Sequence, residues 1–247
     1  IKEVGGRNLI SRFTGTVSYD SRDLPAFPTS GDYLVWQVQN AGGILGGDFD
    51  FLKGTFRGTH YLTLYENADE LRHTLLFSLE LGRVAPYGRS SFVPIFDRFF
   101  AGSIGSVRGF QRRSISPRDK GDVVGGDNIL TFSVQYSFPL LAESDPTLLI
   151  GARPKKQRSY FQAYQREFVR GILFFDGGTV TDPSSRPTTP AGFTTEKDMR
   201  LSAGIGIMLR VPQLPVPLKI YYARVIRQAQ QDDTERIQLD LSAFFGR

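Results

Sequence analysis

One short segment of the sequence has residue types suited to a specific polar interaction: "SVRGF" at residues 106–110. Its arginine, Arg108, presents five N–H donors in a rigid fork and cannot lose its proton. Away from bulk water such a group needs an acceptor, preferably a carboxylate. Gly105 and Gly109 would let the backbone approach another surface closely. The alternative interpretation is an exposed loop whose arginine is solvated.

Other kinds of chemistry find little support in the composition. The chain has no cysteine, so disulfides and thiolate metal sites do not exist in it. Its two histidines, His60 and His73, occupy strand-like or strand-edge positions, and we expect no metal role for them. We find no Ser–His–Asp set, phosphate loop or metal-ligand spacing, and predict neither an enzyme nor a cofactor. The net charge of +5 is scattered over loops and turns, which disfavours nucleic acid as a partner.

The segments around this loop alternate between apolar and polar residues, which is typical of strands with one greasy and one polar face. The clearest cases are "LTFSVQYSF" (130–138), "RLSAGIGIML" (200–209) and "RIQLDLSAFF" (236–245). Weaker versions occur at 12–20, 33–39, 51–64, 73–82, 168–176 and 218–224. The pattern predicts about nine strands and no convincing helix.

Two architectures accept this pattern. A soluble sandwich buries the apolar faces, whereas a membrane barrel turns them to lipid and keeps a polar lumen. No apolar run approaches the roughly 18 residues of a membrane helix. The polar faces carry small residues and amides, and short connections such as 211–217 alternate with long ones such as 83–128. These features favour an all-β fold, a transmembrane antiparallel β-barrel, over the sandwich.

Four segments in order carry a family resemblance: "PIFDRFFAGSIGSVRGFQ" (94–111), "GGDNILTFSVQYSFPL" (125–140), "FFDGGTV" (174–180) and "RLSAGIGIMLRVPQLPVPLKIYYA" (200–223). Together they resemble the C-terminal barrel of the BamA-type outer-membrane assembly family. Upstream segments resemble the preceding strands, so the resemblance covers essentially the whole chain. The family barrel has sixteen strands, and an odd set of nine does not make an even-numbered closed barrel. We therefore expect residues 1–247 to be the C-terminal portion of a larger barrel.

The resemblance also implies a site. In the family the long loop, at about 83–128 here, folds into the lumen, and its motif meets the inner wall. Asp176 matches the acidic partner of the arginine, whereas Gln135 stands where many relatives have glutamate. Since Gln135 contributes no charge, Arg108 should depend mainly on Asp176. The motif residues are Val107, Arg108, Gly109 and Phe110. Competing carboxylates on the polar faces are Asp20, Glu80 and Asp240.

The last strand, 236–245, is the predicted seam strand. It should pair with 218–224 on one side, while its other side must meet a strand outside this sequence. Because Gly246 and Arg247 follow, we expect its end to fray. The residues assigned to this seam are Ile237, Leu239, Leu241 and Phe245. A weak seam could open sideways and offer an edge to a client strand.

The resemblance implies a non-enzymatic insertase of the bacterial-type outer membrane. Its expected partners are unfolded β-barrel clients, the lipid bilayer and periplasmic accessory lipoproteins. The alternative is a two-partner-type secretion transporter that passes an unfolded passenger through the lumen. A diffusion porin would leave the arginine motif unexplained. The connection 141–167, with the basic run 152–158, is either a solvated excursion or a docking surface for a lipoprotein or a lipid headgroup.

Overall fold

A computed structural model describes residues 7–25, 27–67, 71–142, 167–182, 199–210 and 217–240. They form one nine-stranded antiparallel sheet whose strands follow one another in chain order, together with a small hairpin. The sheet contains β1 (Arg12–Asp20), β2 (Gly31–Ala41), β3 (Phe51–Glu66), β4 (Arg72–Pro86), β7 (Asn128–Ala142), β8 (Glu167–Thr181), β9 (Arg200–Leu209), β10 (Leu218–Arg227) and β11 (Ile237–Asp240), and the hairpin contains β5 (Arg118–Asp119) and β6 (Asp122–Val123).

The nine predicted strands are confirmed, and several are longer than the alternation indicated. Because β4 runs to Pro86 and β7 begins at Asn128, the long connection spans residues 87–127; we call it the long loop. The final strand is described only as far as Asp240. The insertion at 141–167 falls almost entirely outside the described residues.

Alternation gives the sheet two unlike faces, because neighbouring side chains on a strand point to opposite sides. We call the face contacted by the long loop the loop face, and the other the open face. The register places Ser133, Asp176 and Ser202 side by side on the loop face. The open face carries a broad band of exposed apolar side chains, among them Phe77, Leu79, Leu173, Phe175, Ile205, Ile207, Ile220 and Leu239.

The main core lies between the long loop and the loop face. It includes Phe51, Val84, Phe99, Val107, Phe110, Ile115, Ile129 and Val180. A soluble sandwich would instead bury the apolar strand residues under a second sheet. In the described part of the chain a loop covers the polar faces and the apolar ones stay exposed, so the sandwich interpretation is wrong.

The two edges of the sheet are β1 and β11. Within the described ranges these edges are not joined to each other, and the sheet is not closed. The helical turns among these residues are two short 3-10 turns, Gly43–Leu45 and Ile95–Asp97. No helix in the described ranges is long and apolar enough to cross a membrane.

Candidate functional site

Arg108 lies on the loop face and forms a bidentate ion pair with Asp176 on β8. Its Nε donates to Asp176 Oδ2 at 2.7 Å, and Nη2 donates to Oδ1 at 2.8 Å. The backbone N–H of Arg108 adds a third bond to Oδ2 at 3.0 Å. Arg108 is 5% exposed and Asp176 is 0% exposed. We call this pair the pin, because it fixes the long loop to the loop face of the sheet, away from water.

The other donors of Arg108 are used by the neighbouring strand β7. Nη1 donates to Gln135 Oε1 at 2.8 Å, and Nη2 donates to Ser133 Oγ at 3.0 Å. Ser133 in turn donates to Asp176 Oδ1 at 2.6 Å. The guanidinium carbon also lies 3.7 Å from the ring centre of Phe174. Hydrogen bonds and a π face together replace the water that the charge loses on burial.

The backbone on either side of Arg108 is held as well. The Arg108 carbonyl accepts from Ser202 Oγ on β9 at 2.6 Å. The N–H of Gly109 donates to Gln238 Oε1 on β11 at 3.1 Å. Gln238 Nε2 donates to the Phe110 carbonyl at 2.8 Å. The motif therefore contacts β7, β8, β9 and β11 at once.

The remaining motif residues explain why the loop approaches so closely. Gly109 has φ of +90°, and a Cβ there would lie 3.0 Å from the Ala223 Cβ. Val107 and Phe110 are fully buried. A Cβ added at Gly178 on β8 would meet Val107 Cγ2 at 2.7 Å. Glycines on both partners thus make room for the contact.

The structure brings together every residue assigned to the loop motif and to its wall partners. The competing carboxylates pair elsewhere: Asp20 with Arg22 at 2.7 Å, Glu80 with Arg57 at 2.8 Å, and Asp240 with Lys219 at 3.5 Å. A local cation therefore serves each of the three, and Asp176 is the carboxylate beside Arg108. The functional role of the motif stays a prediction.

Ser133, Ser202 and Gln238 belong to the polar residues of the alternating segments 130–138, 200–209 and 236–245, but the pattern does not mark them as partners of the motif. Phe174 and Tyr221, whose rings lie against the guanidinium, were not predicted either. Strand parity alone would have put all five on the same face as Asp176. It could not show which of them meet Arg108, because that depends on the path of the long loop.

The long loop has a second ionic contact near its start. The Asp97 carboxylate forms an ion pair with Arg12 of β1 at 2.9 Å. The backbone carbonyl of Asp97 accepts a hydrogen bond from Lys53 Nζ at 2.8 Å. The Asp97 side chain is 5% exposed, whereas that of Arg12 is 38% exposed. We call this contact the Asp97 anchor. It ties the loop to the opposite edge of the sheet from β11.

A third ionic contact of the long loop is longer than the pin and the Asp97 anchor. Arg98 reaches Asp182, just after β8, at 3.4 Å. Asp127 lies nearby at the end of the loop, and its buried Oδ1 has no hydrogen-bond partner among the described residues. Burial, helped by the negative charge of Asp182, raises the pKa of Asp127 to about 6, while the charges of Arg98 and Arg83 oppose this. The carboxyl of Asp127 is thus poorly accommodated in its charged form.

The described part of the predicted seam is an exposed edge. Ile237 and Leu239 lie on the open face and are among its exposed apolar residues. β11 pairs with β10, from Lys219–Asp240 to Tyr222–Ile237. Leu241 and Phe245, together with the predicted frayed end, lie outside the described residues.

The histidines take part in pairwise contacts on the sheet. His60 Nδ1 lies 2.7 Å from Asp32 Oδ1, and His73 Nδ1 lies 2.6 Å from the Tyr136 hydroxyl. The described residues contain no group of three or more metal-ligating side chains.

Comparison with known proteins gives a consistent result. The sequence matches the Omp85 superfamily domain over residues 1–150 and 157–245. It is 36% identical over 138 residues to outer membrane protein assembly factor BamA of Nitratidesulfovibrio vulgaris, covering 55% of this chain and 17% of that protein. It is 34% identical over 136 residues to a SAM50-like protein of Schizosaccharomyces pombe, covering 55% of this chain and 28% of that protein.

The fold agrees with a solved structure. The crystal structure of Haemophilus ducreyi BamA lacking POTRA domains 1–3 aligns with a TM-score of 0.70 and 22% sequence identity. The alignment covers 92% of this chain and 41% of that one. The described antiparallel sheet therefore matches part of a BamA barrel, and the chain spans less than a third of the two sequence relatives.

Proposed function

The chain belongs to the Omp85 superfamily, and on that premise we propose that it is the C-terminal part of an outer-membrane insertase. In this function it assists the folding and insertion of β-barrel outer-membrane proteins through a lateral seam at β11. Omp85 proteins of the BamA kind are non-enzymatic membrane assembly factors, in agreement with the expectation that the chain is not an enzyme.

The observation that carries this proposal is the position of β11 at one edge of the described sheet, next to β10. β8, in the middle of the sheet, is paired along most of its length on both sides. β11 pairs with β10 through the described residues Ile237–Asp240, and no other strand of the described sheet lies on its far side. An edge strand leaves a row of N–H and C=O groups free. Such an edge can bind an extended segment of another chain by β-augmentation.

The interior strands of the sheet, which adjoin this edge, support the same mechanism. The pin joins the long loop to β8, so the interior strands remain a fixed platform while the edge exchanges partners. No nucleotide is required, because a client that pairs its own strands gains the free energy of folding. The apolar open face is suited to contact with the hydrocarbon of a bilayer.

We further propose unfolded β-barrel proteins as clients, periplasmic lipoproteins as accessory partners, and a bacterial-type outer membrane as the location. The similarity to a SAM50-like protein keeps the mitochondrial outer membrane as the alternative location. The two interpretations of the connection at 141–167, a solvated excursion and a docking surface for a lipoprotein or a lipid headgroup, concern residues that lie almost entirely outside the described ranges.

A second candidate function is secretion of an unfolded passenger through the lumen. The observation that favours it is the polar loop face of the first strands, which carries Thr14, Thr16, Gln37, Gln39 and Thr55 in register. A polar wall of this kind suits an extended chain passing along it.

Site-specific photo-crosslinking separates the two functions. Full-length protein in lipid vesicles would carry benzoylphenylalanine at Leu239, on the edge strand, or at Leu173, on β8. Both side chains lie on the open face and are about equally exposed, at 50% and 46%. A purified, urea-unfolded outer-membrane barrel is then added as the client.

An insertase should crosslink to the client from Leu239 and not from Leu173. A transporter should instead crosslink to its passenger from a loop-face position such as Thr55. Equal crosslinking of the client from Leu239 and Leu173 would contradict a specific seam.

A further inference from the structure

We propose that Gln238 is a latch through which the long loop holds the loop-side end of the last strand, so that opening of the seam is confined to the strand beyond it. The inference rests on the proposed seam function and specifies its control. It arises from the contacts between the arginine motif and β11.

The first of these contacts is a short backbone ladder. Residues 109–111 of the long loop run antiparallel to residues 233–235, which lead into β11, with a bridge between Phe110 and Thr234. The Glu235 N–H donates to the Gly109 carbonyl, and the Gln111 N–H donates to the Asp233 carbonyl, both at 2.9 Å. The approach to the last strand thus pairs with the loop.

The second contact is the side chain of Gln238 itself. Its Oε1 accepts from the Gly109 N–H at 3.1 Å, and its Nε2 donates to the Phe110 carbonyl at 2.8 Å. The side-chain amide therefore supplies both the acceptor and the donor that these backbone groups need. Gln238 is 3% exposed, so water does not replace either bond easily.

These contacts are concentrated at one end of the strand. Arg236 pairs through its carbonyl with the Ala223 N–H at 2.8 Å, and Gln238 follows two residues later. Leu239 and Asp240, farther along, pair with β10. Strand opening from the loop side would break the ladder, both amide bonds and the β10 pairing together. Opening from the far side would break the β10 pairing alone until it reaches Gln238.

The charge and shape of Gln238 define two informative variants. Gln238→Met keeps the length of the side chain and removes both hydrogen bonds to the loop backbone, together with the longer one to Glu235 Oε2. Gln238→Glu keeps the acceptor for Gly109, but it turns a carboxylate oxygen toward the Phe110 carbonyl and lies beside Glu235, 3.4 Å from the present amide nitrogen. Both variants should release β11 from the long loop. Gln238→Met leaves the side chain at this position uncharged, whereas Gln238→Glu adds a negative charge. Gln37→Met, on the loop face of β2, is the matched control.

The test is backbone hydrogen exchange, read by mass spectrometry, on full-length protein in lipid vesicles without client. In Gln238→Met we expect exchange of the amides at 237–240 to quicken about tenfold or more, as the loss of two buried hydrogen bonds implies. Gln238→Glu should show at least the same change. Gln37→Met should leave these amides unchanged, and Arg108, whose N–H bonds to Asp176, should stay protected in all three.

Unchanged exchange at 237–240 in Gln238→Met would overturn the latch. A uniform rise across β7 to β10 would also overturn it, because the side chain would then stabilise the sheet generally. Since no client is present, these outcomes do not depend on whether crosslinking from Leu239 supports the insertase.

Discussion

The pin and the Asp97 anchor hold the same loop with the same pair of residue types in different surroundings. In the pin both partners are buried, and the guanidinium makes four side-chain hydrogen bonds and lies on an aromatic face. In the Asp97 anchor the arginine is more than a third exposed. The comparison shows that a charge pair specifies position strongly only where burial makes each lost bond expensive.

The largest expected effect comes from removing the charge of one pin residue. Asp176→Asn leaves Arg108 buried without its counter-ion, and we expect the free energy of unfolding to fall by about 3–5 kcal/mol. Urea unfolding of the full-length protein in vesicles measures this. Asp97→Asn is the control and should cost much less; equal losses from the two variants would remove the distinction between the contacts.

A smaller effect is expected when position 108 keeps its positive charge but loses the planar guanidinium group. Arg108→Lys preserves the attraction to Asp176, but an ammonium group cannot reach both carboxylate oxygens together with Ser133 and Gln135. We expect a loss of about 2 kcal/mol by the same unfolding measurement. If lysine were tolerated without loss, geometry would contribute nothing and charge alone would explain the pin.

The Asp97 anchor should respond weakly and in a salt-dependent way. Arg12→Met removes a partly exposed charge while Lys53 stays beside Asp97, so we expect a loss of about 1 kcal/mol at low ionic strength. This loss should shrink at 1 M salt, where screening acts within about 3 Å. The Asp176→Asn loss should change little with salt. Identical salt dependence in both variants would contradict the difference in burial.

The smallest effect concerns Asp127, and its sign reverses the usual one for a carboxylate. Because the folded pKa is raised to about 6 from 3.8, the folded state holds the proton more tightly than the unfolded state. Stability therefore falls as the pH rises from about 4 to 6. Since the group is partly exposed, we expect Asp127→Asn to add about 0.5–1 kcal/mol at pH 8 and almost nothing at pH 4. Destabilisation at pH 8 would show that the carboxylate is well accommodated.

Strand parity explains how much of the fold was accessible from sequence. The alternation at 130–138 and 200–209 fixed which residues share a face, because a strand has a period of two. Strand ends were less accessible: the extra residues of β4, up to Pro86, break the clean alternation but still pair with β3.

The site was predictable only in part, for a related reason. Arg108 and Asp176 were matched through the order of family segments, and the structure places them in contact. The partners Ser202 and Gln238 come from strands far along the chain, and a loop of irregular backbone brings the motif to them. No periodicity in the sequence encodes the path of the loop. Hydrogen bonds such as those of Gln238 are therefore visible only in the structure.

In the membrane-embedded protein the long loop should lie docked on the loop face, with Val107 against Gly178. Val107→Cys with Gly178→Cys tests this directly in the full-length protein in vesicles. The new Cβ at 178 occupies the space that Val107 Cγ2 vacates, and these 247 residues contain no other cysteine. Gly206, which faces Tyr221, provides the control pair Val107→Cys with Gly206→Cys.

A docked loop should give rapid disulfide formation between positions 107 and 178 under mild oxidation and none between 107 and 206. Absence of the 107–178 disulfide, or equal trapping of both pairs, would contradict it, because the loop would then not rest where the pin places it.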